Sequence, residues 1–316
     1  RVLRTISDAY YYNDSIERSN EFLLRAVSIA ESVETDSAFL AEAYNDLGYN
    51  YNTLEKNHIA FDYLNKAVGM FRRLNRPDDM ASAMNNLATV YFETGQFEKA
   101  ISLYDEVYRI DLSTGNRKSQ AASLNNLGRM YVDWGKYETG IEYYKHSVAL
   151  LDTVSEREVL AVRYNNIGLA YQLMGNHQEA IRWISKALKI DSEENNAFKI
   201  GIRHFNLATS YLSLNDLTIA RNYLEQAEEY FSDLDLPSRL TRVYGRLGEL
   251  YQKQGDNKKA EIYYLKTEAM AERSNTIPEK AIAGNYLYRY YKLTSQPDKA
   301  LKYLEMLTSA NDSIFK

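Results

Sequence analysis

Cysteine is absent from all 316 residues, which excludes disulfides, thiolate metal sites and thiol catalysis while leaving the compartment open. Proline (4) and glycine (14) are scarce, as a mostly helical chain requires, because both oppose helix interiors. No apolar run nears the ~20 residues that span a bilayer, and no stretch has the build of a signal peptide, so no membrane insertion by this segment is expected. A basic surplus is also lacking. The net charge of −5 and pI near 5.6 argue against direct binding of nucleic acid or an anionic membrane surface. The four histidines, His58, His146, His177 and His204, stand singly, with no His-Glu-x-x-His spacing, phosphate-binding glycine loop or calcium loop anywhere. His177 and His204 fall where packing residues belong. The acid pairs Glu193-Glu194 and Glu228-Glu229 are adjacent rather than convergent, so no hydrolytic dyad is indicated. No enzyme activity, cofactor or metal is expected.

What the chain does have is tyrosine, 28 of them, and a period of forty. Aligning on one leucine gives Leu47, Leu87, Leu127, Ile167, Leu207, Leu247 and Leu287 without slippage, followed four residues on by Tyr51, Tyr91, Tyr131, Tyr171, Tyr211, Tyr251 and Tyr291. Residues at i and i+4 share a helix face, so leucine and tyrosine form a buried stripe. Between them Gly48, Ala88, Gly128, Gly168, Ala208 and Gly248 stay small. Glycine inside a helix costs about 1 kcal/mol relative to alanine, so its recurrence signals close approach by a neighbouring helix. Eight residues past the leucine come Gly95, Gly135, Gly175, Asn215, Gly255 and Ser295, residues suited to the left-handed end of a helix, with Glu55 the exception.

A second helix then starts, carrying Ala60, Ala100, Gly140, Ala180, Ala220, Ala260 and Ala300 at its crowded contact and aromatic or aliphatic residues three and four places on. Each unit is therefore two antiparallel helices joined by a tight turn. A fixed period of this kind is the signature of a solenoid. The expected architecture is all-α, a right-handed α-solenoid, in one continuous domain over 1–316. Its repeats are 41–80, 81–120, 121–160, 161–200, 201–240, 241–280 and 281–316. Residues 1–40 form a degenerate first unit that has Ser7 in place of the leucine, a drift that terminal repeats tolerate.

These residues resemble the tetratricopeptide repeat across essentially the whole chain. The family pattern falls on Tyr164, Ile167, Gly168, Tyr171, Gly175, His177, Ala180, Ile184 and Ala187, at a spacing of 40 rather than the family's usual 34. Longer units with Asn-Asn-Leu-Ala or Asn-Leu-Gly cores look like those of kinesin light chain and of Pins/LGN-type adaptors. The last stretch, from Tyr303 to Asn311-Asp312-Ser313-Ile314-Phe315, resembles the repeat region of bacterial sensor histidine kinases and related regulators. That resemblance implies a sensing module within a longer signalling protein, of which this chain, opening on Arg1, would be an excised piece. It would be extracytoplasmic (periplasmic) in that case and cytoplasmic otherwise. The alternative is a free-standing scaffold or adaptor that does not switch.

In a solenoid the first helices line the inner face. About half a turn from the buried stripe lie the positions five, two and one before the leucine and two and five after it. One before stand Asp46, Asn86, Asn126, Asn166, Asn206, Arg246 and Tyr286; two before stand Asn45, Asn85, Asn125, Asn165, Phe205, Gly245 and Asn285. An asparagine offers donor and acceptor together, matching a peptide group. The partner expected is therefore a peptide or protein segment in the concave groove, with the oligomeric state left open. The resemblance to cargo-binding repeats assigns peptide-backbone contacts to Asn86, Asn126, Asn166 and Asn206. Asn85, Asn125 and Asn165 are the accompanying set. Two after the leucine, Arg129 is the candidate anion contact. Arg163 and Arg203 fall four before it, at the groove edge. The lysine–asparagine–arginine clamp that some family members use for peptide carboxylates is not in register.

Overall fold

In the computed structural model residues 2–12, 15–32 and 37–314 are described, and they form sixteen α-helices with no strand among them. Phe315, at the end of the C-terminal motif, lies outside the described residues. The chain divides into two compact units, residues 1–151 and 152–316. Unit 1 holds α1 (Val2–Tyr12), α2 (Ile16–Ser32), α3 (Ser37–Thr53), α4 (Asn57–Arg73), α5 (Pro77–Glu93), α6 (Phe97–Thr114), α7 (Arg117–Asp133) and α8 (Tyr137–Leu150). Unit 2 holds α9 (Arg157–Leu173), α10 (His177–Glu193), α11 (Ala197–Ser213), α12 (Leu217–Asp233), α13 (Pro237–Lys253), α14 (Asn257–Ser274), α15 (Ile277–Leu293) and α16 (Pro297–Ile314).

In both units each odd-numbered helix folds back on the next, and the pairs stack. The degenerate opening segment also forms a hairpin, α1 on α2. Ser7, where the leucine is missing, is buried and bonds Ser19 Oγ at 2.7 Å, and Asn50 Nδ2 donates to Ser19 Oγ and Asn20 Oδ1. A polar network thus replaces an apolar contact.

The motif leucines are buried, and the glycines beside them, Gly48, Gly128, Gly168 and Gly248, lie under the partner helix; in the last unit Tyr288 takes that place. A Cβ on Gly128 would stand 2.6 Å from the Tyr144 ring, and one on Gly140 would stand 2.7 Å from the Gly128 carbonyl oxygen. Tyrosines fill the seam: Tyr131 stacks on Tyr143 at 5.2 Å, and the same pair recurs as Tyr51–Tyr63, Tyr211–Tyr223, Tyr251–Tyr263 and Tyr291–Tyr303. Offset pairs of this kind contribute about 0.5–1.5 kcal/mol beyond burial, which accounts for the tyrosine excess.

The turns are uniform. At the end of α5 the Gln96 N–H donates to the Tyr91 carbonyl at 2.8 Å and the Gly95 N–H to Phe92 at 2.9 Å. The motif tyrosine's carbonyl is the acceptor at the end of α3, α7, α9, α11, α13 and α15 as well. This closure requires a left-handed residue, and Glu55 adopts it too (φ 58°), although its side chain disfavours that conformation. All four prolines lie in the first turn of a helix, α5, α13, α15 or α16, where the missing N–H is harmless. One junction departs from the pattern. α8 stops at Leu150, and Asp152 Oδ1 accepts from the N–H groups of Val154 and Ser155.

Candidate functional site

Within each unit the first helices touch one another, α3 with α5 in unit 1, and α9 with α11, α11 with α13 and α13 with α15 in unit 2. The asparagines are carried by these first helices and by α7.

In unit 1, Asn45, Asn85, Asn86, Asn125 and Asn126 are all half-buried. Asn86 Nδ2 donates to Asn45 Oδ1 of the preceding first helix at 3.0 Å, which leaves the second amide hydrogen and the carbonyl of Asn86 in the groove. The side-chain oxygen of Asn85 is buried without a hydrogen-bond partner. Asn45, Asn86, Asp46, Tyr49, Tyr11 and Asp8 line a cavity of about 280 Å³. Beside it Arg4 bonds Asp46 at 2.9 Å and also pairs with Glu42, which Arg76 holds from the other side at 2.9 Å. Burial raises the Asp46 carboxyl above its ordinary range despite Arg4. Burial acts against Glu42 as well, but Arg76 and Arg4 together hold it below that range. Arg129 is exposed and faces Glu93 and Asp133, both raised by burial and both pulled back by its charge.

In unit 2 the equivalent amides sit deeper. Asn206 Nδ2 donates to Asn165 Oδ1 at 2.9 Å, and the two residues are only 9% and 6% exposed. Gln172 Nε2 further binds the Asn206 carbonyl oxygen at 2.6 Å. Asn166 is half-buried. Arg203 is not at the groove edge expected from the sequence. It is 4% exposed and pairs with the buried Asp191 at 2.8 Å, because the second helix α10 supplies a carboxylate at a site that elsewhere holds Phe71 or Phe231.

Farther along unit 2 the face changes character. Arg242, Arg246, Asn285, Tyr286 and Arg289 converge on a cavity of about 370 Å³ walled by Phe205 and Ile282. Arg246 and Arg289 stand in the positions one before and two after the motif leucine, and Asn285 two before it. Arg242, five before Leu247, escaped the sequence reading, although that position belongs to the groove. The signal is only visible once residues forty apart are added together. Among the described residues no group of three or more His, Asp or Glu could hold a metal ion, and no helix is long and apolar enough to cross a membrane. His204 packs between the rings of Tyr223 and Tyr230 at 5.5 and 5.7 Å, in a core role.

Comparison with known proteins follows the same lines. Models described as tetratricopeptide repeat match residues 79–153 and 159–233, and again 41–73 and 241–269, most of the chain. The uncharacterized protein ycf37 of Porphyra purpurea is 30% identical over 105 residues, 33% of this chain and 56% of that protein. The chain thus spans about half the length of this curated relative. Among solved structures it is similar to the apo form of the quorum sensor NprR from B. thuringiensis, with 15% identity and a TM-score of 0.71 over 98% of this chain and 86% of that one. It is also similar to the Rap conjugation gene regulator of plasmid pLS20 in complex with the Phr* peptide, with 13% identity and a TM-score of 0.55 over 86% of this chain and 73% of that one. At such identities the likeness is one of fold. With sixteen helices in forty-residue hairpins and repeat models matching in both units, the chain belongs to the tetratricopeptide repeat family.

Proposed function

We propose that the chain is a non-enzymatic module that binds an extended peptide along its first-helix face, as the sensing region of a bacterial signalling protein. One observation carries the reading: Asn45 of α3 and Asn86 of α5, joined by a hydrogen bond, line an open cavity, and Asn126 is half-buried at the equivalent place on α7. Packed helices lie about 8–10 Å apart and an extended peptide rises about 3.3 Å per residue, so successive helices meet every third peptide group. Amides at that interval suit a backbone and leave the sequence of the ligand to other contacts. The Phr* peptide bound by the Rap regulator supports a peptide as ligand, and the sensor role of NprR supports a regulatory setting. In unit 2 the sealed pair Asn165 and Asn206 serves the ladder's rigidity.

The test is selection from a random heptapeptide library on the immobilised protein, followed by affinity measurement on the double variant Asn86→Ala/Asn126→Ala. Each net hydrogen bond contributes about 0.5–1.5 kcal/mol, so the pair should weaken enriched peptides about tenfold. Equal affinity of a folded double variant would move the site off these amides.

A further inference from the structure

The cavity at the α13–α15 face has a chemistry that the amide ladder does not explain. Three guanidiniums, those of Arg242, Arg246 and Arg289, face one space in a chain whose net charge is −5. Two of them are already fixed. Arg246 Nη1 donates to Glu249 Oε2 at 2.7 Å, and Arg242 reaches Glu279 at 3.5 Å. Among the described residues no carboxylate lies within ion-pair distance of Arg289. Three cations against two committed carboxylates leave one positive charge unanswered. The floor is Tyr286, whose ring lies directly over Gly245; a side chain there would occupy the space of that ring. Tyr286 stacks on Tyr264 at 5.7 Å, so the floor is held from beneath. Burial pushes the Tyr286 hydroxyl above its ordinary value, so it stays protonated as a donor. Phe205 and Ile282 add apolar walls.

We propose that Arg242, Arg246, Arg289 and Asn285 form a receptor for a single carboxylate of the bound peptide. A guanidinium presents two parallel N–H groups to the two oxygens of a carboxylate, and prior anchoring of Arg246 by Glu249 lowers the ordering required on binding. The unanswered charge is one, which fits a carboxylate and is too little for a phosphate dianion. The apolar walls select an aliphatic or aromatic neighbour beside the acid. The carboxylate comes either from an Asp or Glu side chain or from the peptide's C-terminus. This arrangement uses three arginines of two adjacent first helices.

The proposal rests on the peptide-binding reading, and one set of measurements separates the two. Heptapeptides enriched on the wild-type protein are resynthesised with a free or amidated C-terminus and with each Asp or Glu replaced by its amide. They are then measured on wild type, Arg289→Gln and Arg289→Lys, variants of an exposed residue whose folding is checked by circular dichroism. Removing the recognised carboxylate should weaken binding about ten- to a hundredfold on wild type and have no effect on Arg289→Gln; Arg289→Lys should recover only part of the loss. The modification that matters, terminal or internal, names the source of the acid. Peptides that bind wild type and Arg289→Gln equally, with no acid preference but with sensitivity to Asn86→Ala/Asn126→Ala, would overturn this site and leave the groove standing. Preference for phosphoserine over glutamate at the same place would overturn the carboxylate assignment. A library that enriches nothing above the bead background would sink both readings together.

Discussion

The first-helix faces of the two units are built on the same positions and differ in chemistry. Unit 1 places Asn45, Asp46, Asn86 and Asp8 around its cavity, an amide and carboxylate surface. Unit 2 seals its amide pair and gathers Arg242, Arg246 and Arg289 instead. The hairpins beneath are nearly interchangeable, because leucine, tyrosine and the small residue occupy the stripe that packs. The positions half a turn away vary more, from the bonded amides Asn86 and Asn206 to Arg246 and Tyr286. The scaffold is set by one helix face, and the proposed recognition falls to the other.

The same contrast runs through the interior, and there it can be broken hardest. At equivalent places α6 contributes Asp111 to Ser123, with 2.5 Å between the oxygens, while α10 contributes Asp191 to Arg203 at 2.8 Å. Other hairpins use Phe71 with Ala83 or Phe231 with Val243 at this joint, all buried. Arg203→Ala leaves a buried carboxylate alone and should destabilise by about 3–5 kcal/mol. Ser123→Ala removes a neutral donor and should cost about 1–3 kcal/mol. Urea unfolding followed by circular dichroism measures both, and equal losses would show that the charge adds nothing over the hydroxyl. The apolar pair Asp191→Phe/Arg203→Val should recover most of the lost stability, since it restores the joint used by the neighbouring hairpin.

A second difference is a buried histidine in unit 2. At the position of Tyr44, Met84, Leu124, Tyr164 and Tyr244 stands His204, whose imidazole is pushed down from 6.5 to about 4 by burial. Its Nδ1 has no hydrogen-bond partner, and Tyr223 and Tyr230 lie against the ring. The folded state therefore disfavours the charged form. Stability is complete above the unfolded value of 6.5 and is lost as pH falls through about 4. The loss by the bottom of that window should be about 3 kcal/mol. His204→Phe should flatten this part of the pH profile of the urea midpoint. An identical slope in the variant would assign the acid sensitivity to other groups.

Much of this was legible in the sequence and some was not, for identifiable reasons. The period of forty located every hairpin because leucine, tyrosine and the turn residue all report on packing or backbone conformation. Gly128 and Gly140 were readable as a close approach since nothing else excuses glycine inside a helix. Arg203 was misread, because its charge suggested the groove edge, whereas this position is interior in nearly every repeat and Asp191 from the opposing helix lets an arginine occupy it. The early end of α8 left no sign in the pattern, since Asp152 ends it through a local turn. On the candidate site, the row of asparagines was readable, but the bond between Asn86 and Asn45 was not, as it joins residues 41 apart. The arginine cavity needed the fold to bring Arg242, Arg246 and Arg289 together.

The smallest expected effect concerns the turn residue itself. Gly95 and Gly135 hold φ at 74° and 79°, and Gly175 and Gly255 in unit 2 are alike at 78° and 77°. Glu55 and Ser295 do the same work at 58° and 55° with side chains attached. A non-glycine residue in this region carries a penalty of about 1–2 kcal/mol, while glycine loses about 0.5–1 kcal/mol more backbone freedom on folding. The difference predicts that Glu55→Gly stabilises unit 1 by about 0.5–1 kcal/mol. Gly95→Ala should destabilise it by a similar amount. No atom beyond the chain neighbours lies within 4 Å of a Cβ built on Gly95, so that variant reports strain alone and not a clash. The Schellman bond from Lys56 N–H to the Tyr51 carbonyl, 2.9 Å, is already formed with glutamate in place, so no new contact contributes to the gain. Thermal melts of Glu55→Gly and Gly95→Ala should shift in opposite directions. A fall in midpoint for Glu55→Gly would mean that the glutamate side chain compensates its own backbone, and that the uniform turn is not what the glycines are there to provide.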